Sequence, residues 1–211
     1  MIRCLYAITP DGADTDLLLA KVEAVLQGGI SALQYRNKQA NKELQIEQAS
    51  AIWPLCKQYQ VPFIINDSIE LCLALDADGV HVGADDGNIG EVRAKLGADK
   101  ILGASCYNRF DLALSAQQAG ATYVAFGACF ASSTKPHAPV ASLELFKQAK
   151  AQLHIPAVAI GGITLANAAS VIQAGADSIA VINAIFNADD VKLAVHQFTH
   201  LFKESNFKAT K

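Results

Sequence analysis

Eight short apolar runs recur along the chain, each followed by a longer amphipathic stretch, and no other feature restricts the possible folds as tightly. The runs cover residues 4–8, 32–35, 63–65, 79–82, 101–104, 123–126, 157–160 and 178–182 and are rich in Val, Ile, Ala and Phe. Strand-like runs separated by helix-period segments argue for parallel strands joined by crossover helices. The helical segments are expected over 14–27, 42–53, 108–119, 142–152, 165–174 and 191–203, with shorter ones over 69–75 and 89–96.

Four strand entries resemble one another: Gly28-Gly29-Ile30-Ser31, Asp76-Ala77-Asp78-Gly79, Gly120-Ala121-Thr122-Tyr123 and Gly175-Ala176-Asp177-Ser178. Their heads lie at 28, 76, 120 and 175, so a double βα unit recurs four times, with glycine ending three of the four preceding helices. Two other strands open on Pro62 and Pro156, a position that strands tolerate. An open doubly wound sheet would use similar turns, but even repeats without a break favour closure. The expected fold is therefore α/β, a single (βα)8 TIM barrel. One domain is expected over 1–203 and a polar C-terminal tail over 204–211. Pro54 is expected to kink or break the second helix.

Composition excludes several functions. The chain has 211 residues, 52% hydrophobic and 18% charged, enough to bury a core without disulfides or a structural metal. A net charge of −3 offers no global basic field for nucleic acid or a membrane surface. No apolar stretch approaches the roughly 18 residues of a membrane span. The five cysteines are scattered, odd in number and free of any C-x-x-C pair, so they read as reduced thiols in a cytoplasmic protein.

In such barrels the working residues sit at the C-terminal ends of the strands. After the second run comes Gln34-Tyr35-Arg36-Asn37-Lys38; if the strand persists, Gln34, Arg36 and Lys38 share the face toward the barrel mouth. Two cations there would suit a diphosphate. Asn66-Asp67-Ser68 follows the third run and Gly83-Ala84-Asp85-Asp86 the fourth, so Asp67 and Asp86 could approach one magnesium ion. Asn-Asp is also a common turn or helix cap. Hydroxyls surround Lys135 in the loop after the sixth run, Gly161-Gly162 ends the seventh, and Asn183 follows the eighth. Loops after strands seven and eight are a common phosphate site in this fold, and paired glycines let backbone approach a ligand closely. His81 reads as a packing or structural residue. His196 and His200 read as surface residues without a third ligand, and Cys106 and Cys129 as packing residues without an activating base.

Together, Gln34-x-Arg36-x-Lys38, Ile65-Asn66-Asp67, Gly79-Val80-His81-x-Gly83-x-x-Asp86, Gly103-x-Ser105, Phe126-Gly127, Thr134-Lys135-Pro136 and Ala159-Ile160-Gly161-Gly162-Ile163 resemble thiamine-phosphate synthases. The opening Tyr6-Ala7-Ile8-Thr9 is similar too, and the likeness runs in order from about Tyr6 to Ile185. It implies a magnesium-dependent transferase that couples amino-hydroxymethylpyrimidine diphosphate with hydroxyethylthiazole phosphate. The resemblance places Gln34, Arg36, Lys38, Asn66 and Lys135 on the pyrimidine diphosphate and Asp67 and Asp86 on Mg2+. It places Ser105 near the pyrimidine ring and Ser132, Thr134, Gly162 and Asn183 on the thiazole phosphate. Arg36, Lys38, Lys135 and Ser105 are the residues it implies in catalysis. This sequence departs from the family's pattern at Ala84, usually Gln, at Ser132, usually Thr, and at Asn183, usually Ser.

The expected partners are two small-molecule substrates, with no nucleic acid and no membrane; a homo-oligomer is compatible with the sequence. The sequence admits two rival readings. A thiazole tautomerase-like paralogue would be expected to lack the diphosphate grip, which this chain keeps. A catalytically silent phosphate-binding barrel finds support only in Ala84 and Asn183.

Overall fold

The computed structural model describes the backbone of residues 2–83, 87–131 and 141–208, with side chains as far as Lys203. Eight parallel strands close into a barrel in sequence order. They are β1 (Cys4–Ile8), β2 (Ala32–Tyr35), β3 (Phe63–Asn66), β4 (Gly79–Val82), β5 (Ile101–Tyr107), β6 (Tyr123–Phe126), β7 (Ala157–Ile160) and β8 (Ser178–Val181). The helices are α1 (Thr15–Gln27), α2 (Lys42–Tyr59), α3 (Ile69–Leu75), α4 (Ile89–Leu96), α5 (Phe110–Gln118), α6 (Glu144–Gln152), α7 (Ala168–Gln173), α8 (Asn183–Phe186) and α9 (Val191–Lys208). The expected (βα)8 barrel is therefore the fold.

Each strand is buried on both faces because alternate side chains serve two different cores. Tyr6, Ile8, Ile64, Tyr123, Val158 and Ala180 fill the barrel interior. Leu5, Ala7, Leu33, Phe63, Val124 and Ile179 point outward and pack beneath the helices. Side-chain caps set the starts of five helices: Asp14, Asn41, Ser68, Asn88 and Asp190 accept backbone N–H groups at the starts of α1, α2, α3, α4 and α9. The barrel closes where β1 pairs with β8, Cys4 lying opposite Ser178, and the Ser178 hydroxyl donates to the Cys4 carbonyl at 2.7 Å.

Pro54 does not break its helix: α2 runs from Lys42 to Tyr59, past the expected end at residue 53, with Pro54 inside. Both Pro54 and Ser50, whose carbonyl loses its helical donor, lie on the exposed side, where water can satisfy that carbonyl. Ala49, Ile52, Trp53 and Cys56 are buried on the opposite side and hold the helix against the barrel on either side of the proline. β5 is longer than expected and reaches Tyr107, past a register shift against β6. The four-residue α8 was not foreseen, and α9 continues past Lys203 to Lys208. Among the described residues no helix is long and apolar enough to cross a membrane.

Candidate active site

Polar groups gather at the C-terminal end of the barrel, above β2 and β3. β2 ends at Tyr35, so Gln34, Arg36 and Lys38 do not share one strand face as expected. Gln34 points into the barrel and is buried, whereas Arg36 and Lys38 belong to the loop above it. That loop is held by side chains from α2 and from the turn after β1. Thr9 Oγ1 accepts the Arg36 N–H at 2.8 Å and donates to the Arg36 carbonyl at 2.9 Å. Asp11 Oδ1 accepts from Arg36 Nη1 at 3.0 Å and from the Lys38 N–H at 2.7 Å. Buried Asn37 donates to the Gly12 carbonyl at 2.7 Å and to Gln48 Oε1 at 3.0 Å.

Lys38 reaches across to β3, where its Nζ lies 3.0 Å from Asp67 Oδ2. Asn66 Nδ2 donates to the same oxygen at 2.6 Å. Asp67 adopts a left-handed backbone (φ 61°), uncommon outside glycine though accessible to Asp and Asn. Its N–H donates to the His81 carbonyl at 2.8 Å. The cap of α3 is Ser68, not Asp67, so the carboxylate is not consumed by the helix end. Two cation–carboxylate pairs, Arg36–Asp11 and Lys38–Asp67, thus flank a pocket of about 240 Å3 lined also by Gln45, Asn66 and Glu70.

Beneath this rim a hydrogen-bonded chain crosses the barrel. Gln34 Nε2 donates to the Tyr6 hydroxyl at 2.7 Å, which bonds the Tyr123 hydroxyl at 2.9 Å. Tyr123 in turn bonds His81 Nδ1 at 2.9 Å, and His81 Nε2 bonds Ser105 Oγ at 2.9 Å. Burial pushes the Tyr6 and Tyr123 hydroxyls well above the usual phenol range, so both carry their protons at any working pH. Gly103 belongs to the same arrangement: a Cβ there would fall 2.3 Å from the Tyr123 hydroxyl oxygen and 2.5 Å from His81 Nδ1.

On the far side of the mouth, Gly161 and Gly162 have φ of 96° and 65°. The close approach they allow is that of the loop after β6. A Cβ on Gly161 would meet Ala128 Cα at 2.6 Å, and one on Gly162 the Phe130 carbonyl oxygen at 2.6 Å. Asn183 is exposed at the first position of α8. Ser132, Thr134, Lys135, Ala84, Asp85 and Asp86 lie outside the described residues. Of the residues singled out from the sequence, the structure brings Arg36, Lys38, Asn66 and Asp67 together, sets Gln34 and Ser105 at opposite ends of the inner chain, and leaves Gly162 and Asn183 at the ends of other strands.

Sequence reasoning missed Thr9, Asp11, Asn37, Gln48, Tyr6 and Tyr123. Asp11 lies in Pro10-Asp11-Gly12, which carries only a turn signal. Burial pushes the Cys106 thiol up to about 12 and the Cys129 thiol up to about 11, so both hold their protons near neutral pH.

A family model described as thiamine monophosphate synthase matches residues 5–185. A thiamine-phosphate synthase from Methylobacillus flagellatus is 57% identical over 201 residues, covering 95% of this chain and 96% of that one. Its counterpart from Aromatoleum aromaticum is 50% identical, covering 95% and 97%. Among solved structures, thiamine phosphate pyrophosphorylase from Pyrococcus furiosus superposes with a TM-score of 0.85 at 34% identity, covering 96% of each chain.

Proposed function

The chain belongs to the thiamine-phosphate synthase family, and from that premise we propose how its residues carry the reaction. The activity is a transfer: the pyrimidine methylene of amino-hydroxymethylpyrimidine diphosphate passes to the nitrogen of hydroxyethylthiazole phosphate, and pyrophosphate leaves. The observation that carries the assignment of roles is the rim of two cations, two carboxylates and Asn66 above β2 and β3.

Arg36, Lys38 and Asn66 bind the diphosphate. Asp11 holds the Arg36 guanidinium and the Lys38 backbone in place before substrate arrives, so little ordering is left to be done at binding. The cations then stabilise negative charge as it grows on the departing pyrophosphate, and Lys135 adds a third. The C–O bond to the diphosphate breaks first, the electron-rich aminopyrimidine carries the positive charge, and the thiazole nitrogen captures it. That sequence requires neither an enzyme nucleophile nor a general base.

Magnesium fits the rim. Asp67 offers a carboxylate at the rim, and one or two carboxylates with water and phosphate oxygens suffice for this ion; Lys38 Nζ, 3.0 Å from Oδ2, would turn from Asp67 to the diphosphate. Asp67 would hold it, with Asp86 as the second ligand. When bound it supplies charge neutralisation on the leaving group. Ser132, Thr134, Gly162 and Asn183 are assigned to the thiazole phosphate. All five cysteines are unpaired, which supports a cytoplasmic setting.

The test is a reaction with both substrates, with and without magnesium, following thiamine phosphate by mass spectrometry. Product that requires magnesium and is lost in Asp67→Ala is expected. Full turnover in chelator, or an active Asp67→Ala enzyme, would overturn the metal assignment.

A further inference from the structure

The inner chain has a direction, and the direction has a chemical consequence at its end. Gln34 Nε2 donates to the Tyr6 hydroxyl, which has one hydrogen of its own to place. The Tyr123 hydroxyl, 2.9 Å away, is placed to take it. Tyr123 then directs its hydrogen to His81 Nδ1, also at 2.9 Å. A ring nitrogen that accepts carries no proton, so the imidazole proton sits on Nε2, which faces Ser105 Oγ at 2.9 Å. Ser105 thereby accepts from His81, and its own hydrogen is turned away from the ring. Ser105 is part-exposed, whereas Tyr6, Tyr123, Gln34 and His81 are all at most 8% exposed.

We infer that Gln34, Tyr6, Tyr123 and His81 are positioning residues that hold Ser105 as an obligatory hydrogen-bond donor to a lone pair on the substrate, a ring nitrogen of the aminopyrimidine. The inference rests on the synthase reading for the identity of that ligand. The Gln34 amide sets the sense of the whole chain. Turned over, its carbonyl oxygen would accept from Tyr6, every hydrogen would reverse, and His81 would carry its proton on Nδ1. Ser105 would then donate to His81 and offer the substrate only lone pairs. Selection therefore differs in kind between the two senses: the first requires an acceptor on the ligand, the second a donor. Two further features of the structure support a chain built for this purpose. Gly103 leaves open the volume in which Tyr123 meets His81, and the Tyr123 and His81 rings are stacked at 5.5 Å, which fixes the ring plane and with it the aim of Nε2.

The experiment has a substrate-free arm and a substrate arm. Histidine-15N-labelled enzyme is examined by long-range 1H–15N correlation, with His81→Asn used to assign the His81 signals. The Nε2–H form is expected in the wild type, and Tyr123→Phe, which keeps the ring and removes the donor, is expected to weaken that preference. An Nδ1–H form in the wild type would overturn the inference whatever the activity. In the substrate arm, pyrimidine diphosphates with each ring nitrogen in turn replaced by C–H are compared. One of them is expected to lose about tenfold or more in kcat/KM with wild type. The same analogue is expected to match the natural substrate within about twofold with Ser105→Ala, the donor being gone. Discrimination that survives Ser105→Ala overturns the inference. Failure of wild type to turn over the natural substrate would instead strike the synthase reading, and the two failures are thus distinct.

Discussion

Gly103→Ala is the substitution whose effect follows most directly from the packing. The new Cβ would lie 2.1 Å from Tyr123 Cζ, 2.3 Å from its hydroxyl oxygen and 2.5 Å from His81 Nδ1. A flexible side chain could retreat, but Tyr123 is 1% exposed, sits edge-on to Tyr6 at 5.9 Å and is hydrogen-bonded on both sides. Overpacking a dense interior by one methyl group costs about 1–3 kcal/mol. Displacing Tyr123 strains two buried hydrogen bonds, each contributing roughly 1 kcal/mol. The expected loss is about 2–5 kcal/mol, which for a chain of this size lowers Tm by roughly 5–20 °C. Urea unfolding measures it, as a lower midpoint at unchanged slope. Gly12→Ala is the control, because no heavy atom lies within 4 Å of a Cβ there; its effect should stay within about 0.5 kcal/mol. A Gly103→Ala protein as stable as the Gly12→Ala control would refute the packing argument.

Two further outcomes follow from the rim and the buried thiols. Asp11→Ala removes one charge-assisted bond to Arg36 and the bond to the Lys38 N–H, so KM for the pyrimidine diphosphate should rise about tenfold with a smaller change in kcat. Asp11→Asn retains an acceptor oxygen and should fall between; steady-state kinetics with an unchanged KM in Asp11→Ala would show that Asp11 does not position the grip. Burial pushes Cys56 and Cys106 up to about 12 and Cys72 and Cys129 up to about 11. Unfolded thiols ionise near pH 8.5, so above that value the unfolded state holds fewer protons and stability falls with rising pH through the folded values. The urea midpoint should therefore decline between about pH 8.5 and 11. A midpoint that holds constant over that window would contradict the raised thiol values.

The strands were legible because apolar runs and their Gly and Pro boundaries are local signals, and seven of the eight begin and end within one residue of the expected limits. β5 is the exception, since its extension through Ser105, Cys106 and Tyr107 depends on pairing with β6 rather than on its own composition. A four-residue helix such as α8 is too short to show a period. Arg36, Lys38, Asn66 and Asp67 could be read as a set because they lie on adjacent strand tips. Gln34 was misplaced by one layer: strict alternation put it with Arg36 and Lys38, but the strand ends between them and Gln34 turns inward. Tyr6 and Tyr123 are 117 residues apart, and a tyrosine in an apolar run looks like any other core residue until its hydroxyl is seen to have a partner.

The seam between β1 and β8 also dictates an order of assembly. The Ser178–Cys4 bond spans 174 residues, so the free edge of β1 has no partner on that side until nearly the whole barrel has left the ribosome. At about 5–20 residues per second, synthesis leaves that edge waiting on the order of 10–35 s. In the finished barrel β1 pairs only with β2 and β8, so until β8 is made β2 is the one native partner that β1 has. Any sheet that forms before β8 emerges is therefore open, with two hydrogen-bonding edges. Shielding those edges from other chains is a demand that the finished, edgeless barrel no longer shows.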